Sequence, residues 1–144
     1  MTRGIKFEVP NKRFPVLHII LRNIDIRKYF WFLVQEDVID DFFKSDRYQG
    51  IEFEDIINDE TCYAIFLNLQ AFPNQMDFTE IKNYEDFLKS KCELVLFIND
   101  NSYIDIYAKD NAMIEIVKKN AQENDFKNIR YITDENDKIR GFRV

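Results

Sequence analysis

Apolar positions change their period several times along the chain, and each change marks an element. Ile5, Phe7 and Val9 alternate with Lys6 and Glu8, which predicts a first strand with one face to the core, ended by Pro10. From residue 11 to about 22 the pattern turns helical. Val16, Leu17, Ile19, Ile20 and Leu21 make this segment apolar round most of its circumference, and Pro15 is tolerated because it falls near the first turn. Residues 29–35 (YFWFLVQ) are apolar without alternation, which predicts an interior strand. Residues 62–71 (CYAIFLNLQA) form a third strong strand. Tyr63, Ile65, Leu67 and Leu69 occupy one face, and the other passes from Ala64 and Phe66 to Asn68 and Gln70, becoming polar toward its carboxyl end.

The clearest succession of elements runs from residue 92 to 124. Leu94, Val95, Leu96, Phe97 and Ile98 form a run suited to a central strand. Asp100 and Asn101 follow at the centre of an expected two-residue hairpin, since both tolerate positive φ. The chain then alternates, with Ile104 and Ile106 on one face and Tyr103, Asp105 and Tyr107 on the other. Asp110 is placed to cap a helix whose stripe is Met113, Ile116, Val117 and Ala121. Lys118 and Lys119 suit the negative end of its dipole, and Asn124 is the expected left-handed stop.

Three stretches are less regular. In residues 36–60, Val38, Ile39, Phe42 and Phe43 fit one short helix and Phe53, Ile56 and Ile57 another, with Gly50 at the turn between them. Asn83 caps a short helix, YEDFLKS, with Glu85 and Asp86 at its amino end. Residues 129–133 and 138–144 read as a closing hairpin. The fold expected from these elements is α+β, one domain over residues 1–144, with a mixed or mainly antiparallel sheet and helices packed on one face.

Composition narrows the function classes. With 46% hydrophobic and 15% aromatic residues the chain has the material for a core and is not a disordered tail. A formal charge of −6 argues against nucleic acid as a partner, because phosphate affinity needs many cationic contacts, and is compatible with a basic protein partner. The amino terminus alternates instead of forming the apolar centre of a signal peptide, and no run reaches membrane-spanning length, so the expectation is a cytoplasmic protein without a membrane partner.

Candidate chemistry is sparse. Cys62 and Cys92 stand apart without a CxxC and the chain has one histidine, too few conventional ligands for a zinc site; two reduced thiols at strand beginnings are expected, a redox pair being the alternative. His18 is either an acid-base group or a helix histidine packed among aliphatics with one polar contact, and the second reading is preferred because no nucleophile motif accompanies it. The acidic loop of Asp134, Glu135, Asn136 and Asp137 lacks the frame of a calcium loop, so no metal is expected. The cations of the closing segment, Arg130, Lys138, Arg140 and Arg143, are accounted for by protection of a sheet edge. Gly4, Gly50 and Gly141 are the only glycines and make neither a phosphate loop nor a dinucleotide fingerprint, and neither GxSxG nor HExxH occurs. No catalytic residue and no cofactor is assigned, and an enzyme is disfavoured.

RGIKFEVPN (3–11), YEDFLKSKCELVLFINDNSYIDIYAKD (84–110) and YITDENDK (131–138) together resemble a small family of uncharacterised proteins from bacilli, known only as a domain of unknown function. The resemblance spans nearly the whole chain and implies a bacterial, stand-alone, soluble protein. It brings no catalytic residues.

The function therefore stays open between two readings. The first is a protein-interaction module, inhibitor- or immunity-like, meeting a basic partner through Tyr103, Asp105 and Tyr107, since tyrosines suit interface centres and a carboxylate suits arginine or lysine. The second is a small-molecule sensor or an enzyme of unfamiliar type, which a concave pocket with converging polar groups would favour.

Overall fold

The structure is a computed structural model that describes residues 1–38, 42–59, 63–137 and 141–142, apart from the side chain of Asp59. Seven strands form one sheet in the order β3-β2-β4-β5-β6-β1-β7. They are β1 (Thr2–Glu8), β2 (Phe30–Val38), β3 (Arg47–Gln49), β4 (Ala64–Phe72), β5 (Leu94–Asn99), β6 (Tyr103–Ala108) and β7 (Lys127–Thr133). Every neighbouring pair is antiparallel. The helices are α1 (Val16–Ile20), α2 (Gly50–Asp59), α3 (Tyr84–Lys89) and α4 (Asn111–Glu123). The fold is α+β, as the element pattern predicts.

Strand alternation divides the apolar residues into two clusters, one on each face of the sheet. On the first face Ile5, Trp31, Leu69, Leu96 and Ile106 meet α1, α2 and α4 through residues such as Leu17, Phe53 and Val117. On the second face Phe32, Phe72, Val95, Phe97 and Tyr107 meet α3 through Phe87, together with Phe142 near the carboxyl terminus. Three helices thus share one face, and a thinner aromatic layer covers the middle of the other. This two-sided cover explains why β5 and the first half of β2 read as continuous apolar runs.

Several boundaries differ from the sequence reading for local reasons. The first helix is one turn and a half, Val16–Ile20, with Pro15 as its N-cap: proline disfavours helical backbone in the residue before it, so Phe14 cannot extend the helix backward. Val38 belongs to β2 and pairs with Ala64, and the rest of the helix expected there is divided between Ile39, outside the described residues, and Phe42 and Phe43, which lie in a loop. Gly50 opens α2, where a Cβ would stand 2.6 Å from the backbone of Ile26 and Arg27; only glycine lets α2 approach that closely. The β5–β6 loop has three residues, Asp100, Asn101 and Ser102, and Asp100 and Asn101 take the expected positive φ, 51° and 67°. Asn124 keeps φ at −102°, and the left-handed stop falls one residue later, at Asp125 with φ 56°.

The expected closing hairpin does not form at residues 141–142. The Phe142 amide donates to the Lys82 carbonyl at 2.8 Å and its ring packs on Tyr107 at 4.7 Å, which sets this segment across the second face instead of beside β7. Its other residues from 138 onward lie outside the described ones, as does Cys62.

Candidate functional site

Where the second face runs from β6 and β1 toward β2, its chemistry changes from ionic to amide to open. At β1, Arg3 Nε donates to Asp134 at 2.8 Å and Nη1 to Asp137 at 3.1 Å, while the guanidinium lies 4.1 Å from the centre of the Tyr84 ring. Tyr107 Oη donates to the Asp137 carboxylate at 3.0 Å. The Asp137 side chain is 3% exposed, so its carboxylate is met by these donors more than by water. Arg3 also holds the Asp134 carboxyl below the usual carboxylate range, and burial followed by the Asp137 charge pushes the Tyr107 phenol up. The acidic loop of residues 134–137 is thereby pinned to the first strand. Among the described residues no group of three or more His, Cys, Asp and Glu side chains is placed to hold a metal ion.

Tyr103, Asp105 and Tyr107 leave the same face of β6, as alternation requires, but do not form one exposed surface. Tyr103 is 52% exposed and Tyr107 is 0% exposed. Asp105 lies between them with 19% of its side chain exposed and Lys6 Nζ at 4.0 Å. Burial pushes its carboxyl above the ordinary range, against the pull of Lys6. Tyr107 is covered because α3 and Phe142 lie over this part of the sheet, a layer that strand periodicity alone does not reveal.

At the centre of the face stand two amides, Asn68 and Gln70 on β4, each 1% exposed. Gln70 Nε2 donates to Asn68 Oδ1 at 3.2 Å, and Asn68 Nδ2 donates to the Phe142 carbonyl at 3.4 Å. Gln70 Oε1 is buried and has no hydrogen-bond partner among the described residues. An unpaired buried amide oxygen of this kind is costly, on the order of 1–3 kcal/mol, and calls for a reason.

Beside Gln70 the covering layer ends and a hollow of about 670 Å³ opens, lined mostly by Val34, Phe78, Ile81 and Phe142, with Gln35, Glu80 and Lys82 at its polar edge. Local backbone builds its wall. The β2–β4 register slips between Leu33 and Gln35, leaving Val34 as a bulged residue, and the bulge turns Val34 and Gln35 together onto the hollow. Opposite them the Phe78 ring packs tilted against Phe32, centres 4.4 Å apart, and remains 40% exposed, a lip of aromatic surface in contact with solvent.

The remaining reactive side chains are in settled places. His18 Nδ1 lies 2.7 Å from Asn58 Oδ1, a single polar contact on α1. Cys92 is buried, and burial pushes its thiol up to about 12, so it stays protonated and unreactive at neutral pH.

A model of a family described as "Protein of unknown function (DUF2691)" matches residues 2–143. The chain belongs to this family. The "Uncharacterized protein YncE" of Bacillus subtilis (strain 168) is 38% identical to it over 146 residues, which cover 95% of each chain. No solved structure matches the chain significantly. Neither description names an activity or a residue. Within this DUF2691 protein, Gln70 and Asn68 carried a visible signal in the sequence, two amides inside an otherwise apolar strand. Phe78, Ile81 and Lys82 carried none, because they lie in a loop whose position only the fold decides.

Proposed function

We propose that this protein is a small-molecule-binding module and that the hollow beside Gln70 is its site. One observation supports the reading above the others: Gln70, whose side-chain oxygen is buried and unpartnered among the described residues, lines a mostly apolar hollow of ligand size. Small-molecule sites commonly fall between 300 and 1,000 Å³, roughly, and pair an apolar lining with a few fixed polar groups. Every group of the neighbouring Arg3, Asp137 and Tyr107 network has partners, which suits a rigid support better than a reacting centre. A fragment screen followed by amide chemical shifts tests the proposal, with Val34→Trp as a variant that fills the hollow from its exposed side. Fragments should shift the amides of Val34, Gln70, Phe78 and Phe142 in the wild type and lose affinity at least about tenfold in Val34→Trp. A wild-type protein whose shifts never cluster at these residues would end the reading.

A basic protein partner met through β6 is the second reading, and it takes support from Tyr103, half exposed beside Asp105 in a chain of net charge −6. It predicts a partner retained from native cytoplasmic lysate by the wild type and released by Tyr103→Ala combined with Asp105→Lys. Equal retention by the two proteins would remove this surface from consideration.

A further inference from the structure

The amide relay of the second face decides which polarity the hollow presents. The Phe142 carbonyl has no proton and can only accept, so Asn68 must turn its Nδ2 toward it, which leaves Asn68 Oδ1 facing Gln70. That oxygen also only accepts, so Gln70 must spend Nε2 on it and leave Oε1 over. Turning the Gln70 amide round would oppose two oxygens, and turning both amides would oppose Asn68 Oδ1 to the Phe142 carbonyl. A backbone carbonyl thus sets the direction of both side chains, and the acceptor left over on Gln70, a residue that lines the hollow, is fixed and not adaptable.

The rest of the lining limits the ligand further. Val34, Phe78, Ile81 and Phe142 favour an apolar, flat body, and Phe78 offers part of its ring to it. Among the described lining residues the charged side chains are Glu80 and Lys82, one of each sign and both exposed, so these residues supply no net charge with which to compensate a desolvated ion. Resting on the ligand-binding reading above, we infer that the hollow takes a neutral, mainly aromatic small molecule that donates an N–H or O–H hydrogen bond to Gln70 Oε1.

Indole and benzofuran test this directly, because they share size and shape and differ in replacing a ring N–H donor by an oxygen that can only accept. Each is titrated into the full chain and followed by amide shifts of Val34, Phe78 and Phe142. Indole should bind more tightly by about tenfold or more, the effect of leaving one buried acceptor unpaired. In Gln70→Met, which keeps the length of the side chain and removes its acceptor, the preference should vanish or reverse. The wild-type ratio stands without the variant, so a variant that fails to fold does not blunt the test. Benzofuran binding as well as indole in the wild type, at shifts that map to the hollow, would overturn the donor requirement and leave the ligand-binding reading intact. If neither probe binds while fragments of another class do, the aromatic-donor class is wrong and the site stands. A wild-type protein that binds neither probe nor any fragment at these residues loses both.

Discussion

At the scale of single residues, Asp105 carries the most informative tension. Its carboxyl is largely desolvated on β6 and faces the Asp137 charge as well as Lys6, and burial raises its pKa above the ordinary value of 3.8. A carboxyl whose folded pKa exceeds its unfolded one binds more protons when folded, so its contribution to stability is full below the unfolded pKa and is lost as pH rises through the folded one. Asp105→Asn should therefore match the wild type in acid, below about pH 3.8, and become the more stable protein as pH rises to neutrality. Urea unfolding across pH 3 to 8 measures this; a variant that loses ground as pH rises would show that Lys6 outweighs desolvation. Asp134 behaves oppositely, since Arg3 lowers its pKa, but its carboxylate faces solvent and carries little of the folding energy.

At the scale of elements, the fold depends on side chains that reach from one element to the backbone of another. Asn120 is the clearest case. It stands on the inner face of α4, 2% exposed, and its Nδ2 donates to the carbonyls of Ile20 at 2.9 Å and Arg22 at 2.8 Å. These carbonyls lie at and beyond the carboxyl end of α1, a helix too short to be stable by itself. Asn120 is thus the cap of a helix far away in sequence. Asn120→Ala should cost about 1–3 kcal/mol, because it leaves two carbonyls at α1 without that donor. Equilibrium denaturation would register the loss, and hydrogen exchange should place the loosening at α1 and the following turn; a variant as stable as the wild type would show that other groups satisfy those carbonyls. The bulge at Val34 acts at the same scale, since one extra residue in β2 turns a flat wall into the side of a hollow.

At the scale of the whole molecule, the sheet joins the first and the last of the described strands. β1 lies between β6 and β7, so the first of the described strands pairs with the last two. Such long-range antiparallel pairing is slow to form and makes the completed sheet cooperative. Gly4 sits at the tightest point of this junction, opposite Tyr107 on one side and Ile132 on the other. A Cβ there would stand 1.8 Å from the Ile106 carbonyl oxygen, which is backbone and cannot move aside alone. Gly4→Ala should destabilise by at least the roughly 1–3 kcal/mol of an overpacked core. Because among the described strands β7 pairs with β1 alone, its amides should lose protection before those of β4 and β5. A variant with wild-type stability and exchange would mean that β1 can withdraw from β6 at little cost.

Much of the fold was legible in the chain alone, for reasons of local physics. Alternation placed Tyr103, Asp105 and Tyr107 on one face of β6. Continuous apolar runs marked strands covered on both sides, and Asn83 and Asp110 cap their helices as short polar side chains before helical segments do. Each of these depends on neighbours within a few residues, which sequence displays. The candidate site was legible only in part: Asn68 and Gln70 stood out as amides in an apolar strand, yet nothing in their vicinity showed that a backbone carbonyl 74 residues away would orient them. Nor could periodicity show that α3 and Phe142 would cover Tyr107 while leaving Val34 and Phe78 exposed. Period and capping follow from the chain's own stereochemistry. Which face is covered, and where the cover stops, is set by contacts between segments far apart in sequence, and the tertiary structure alone decides it.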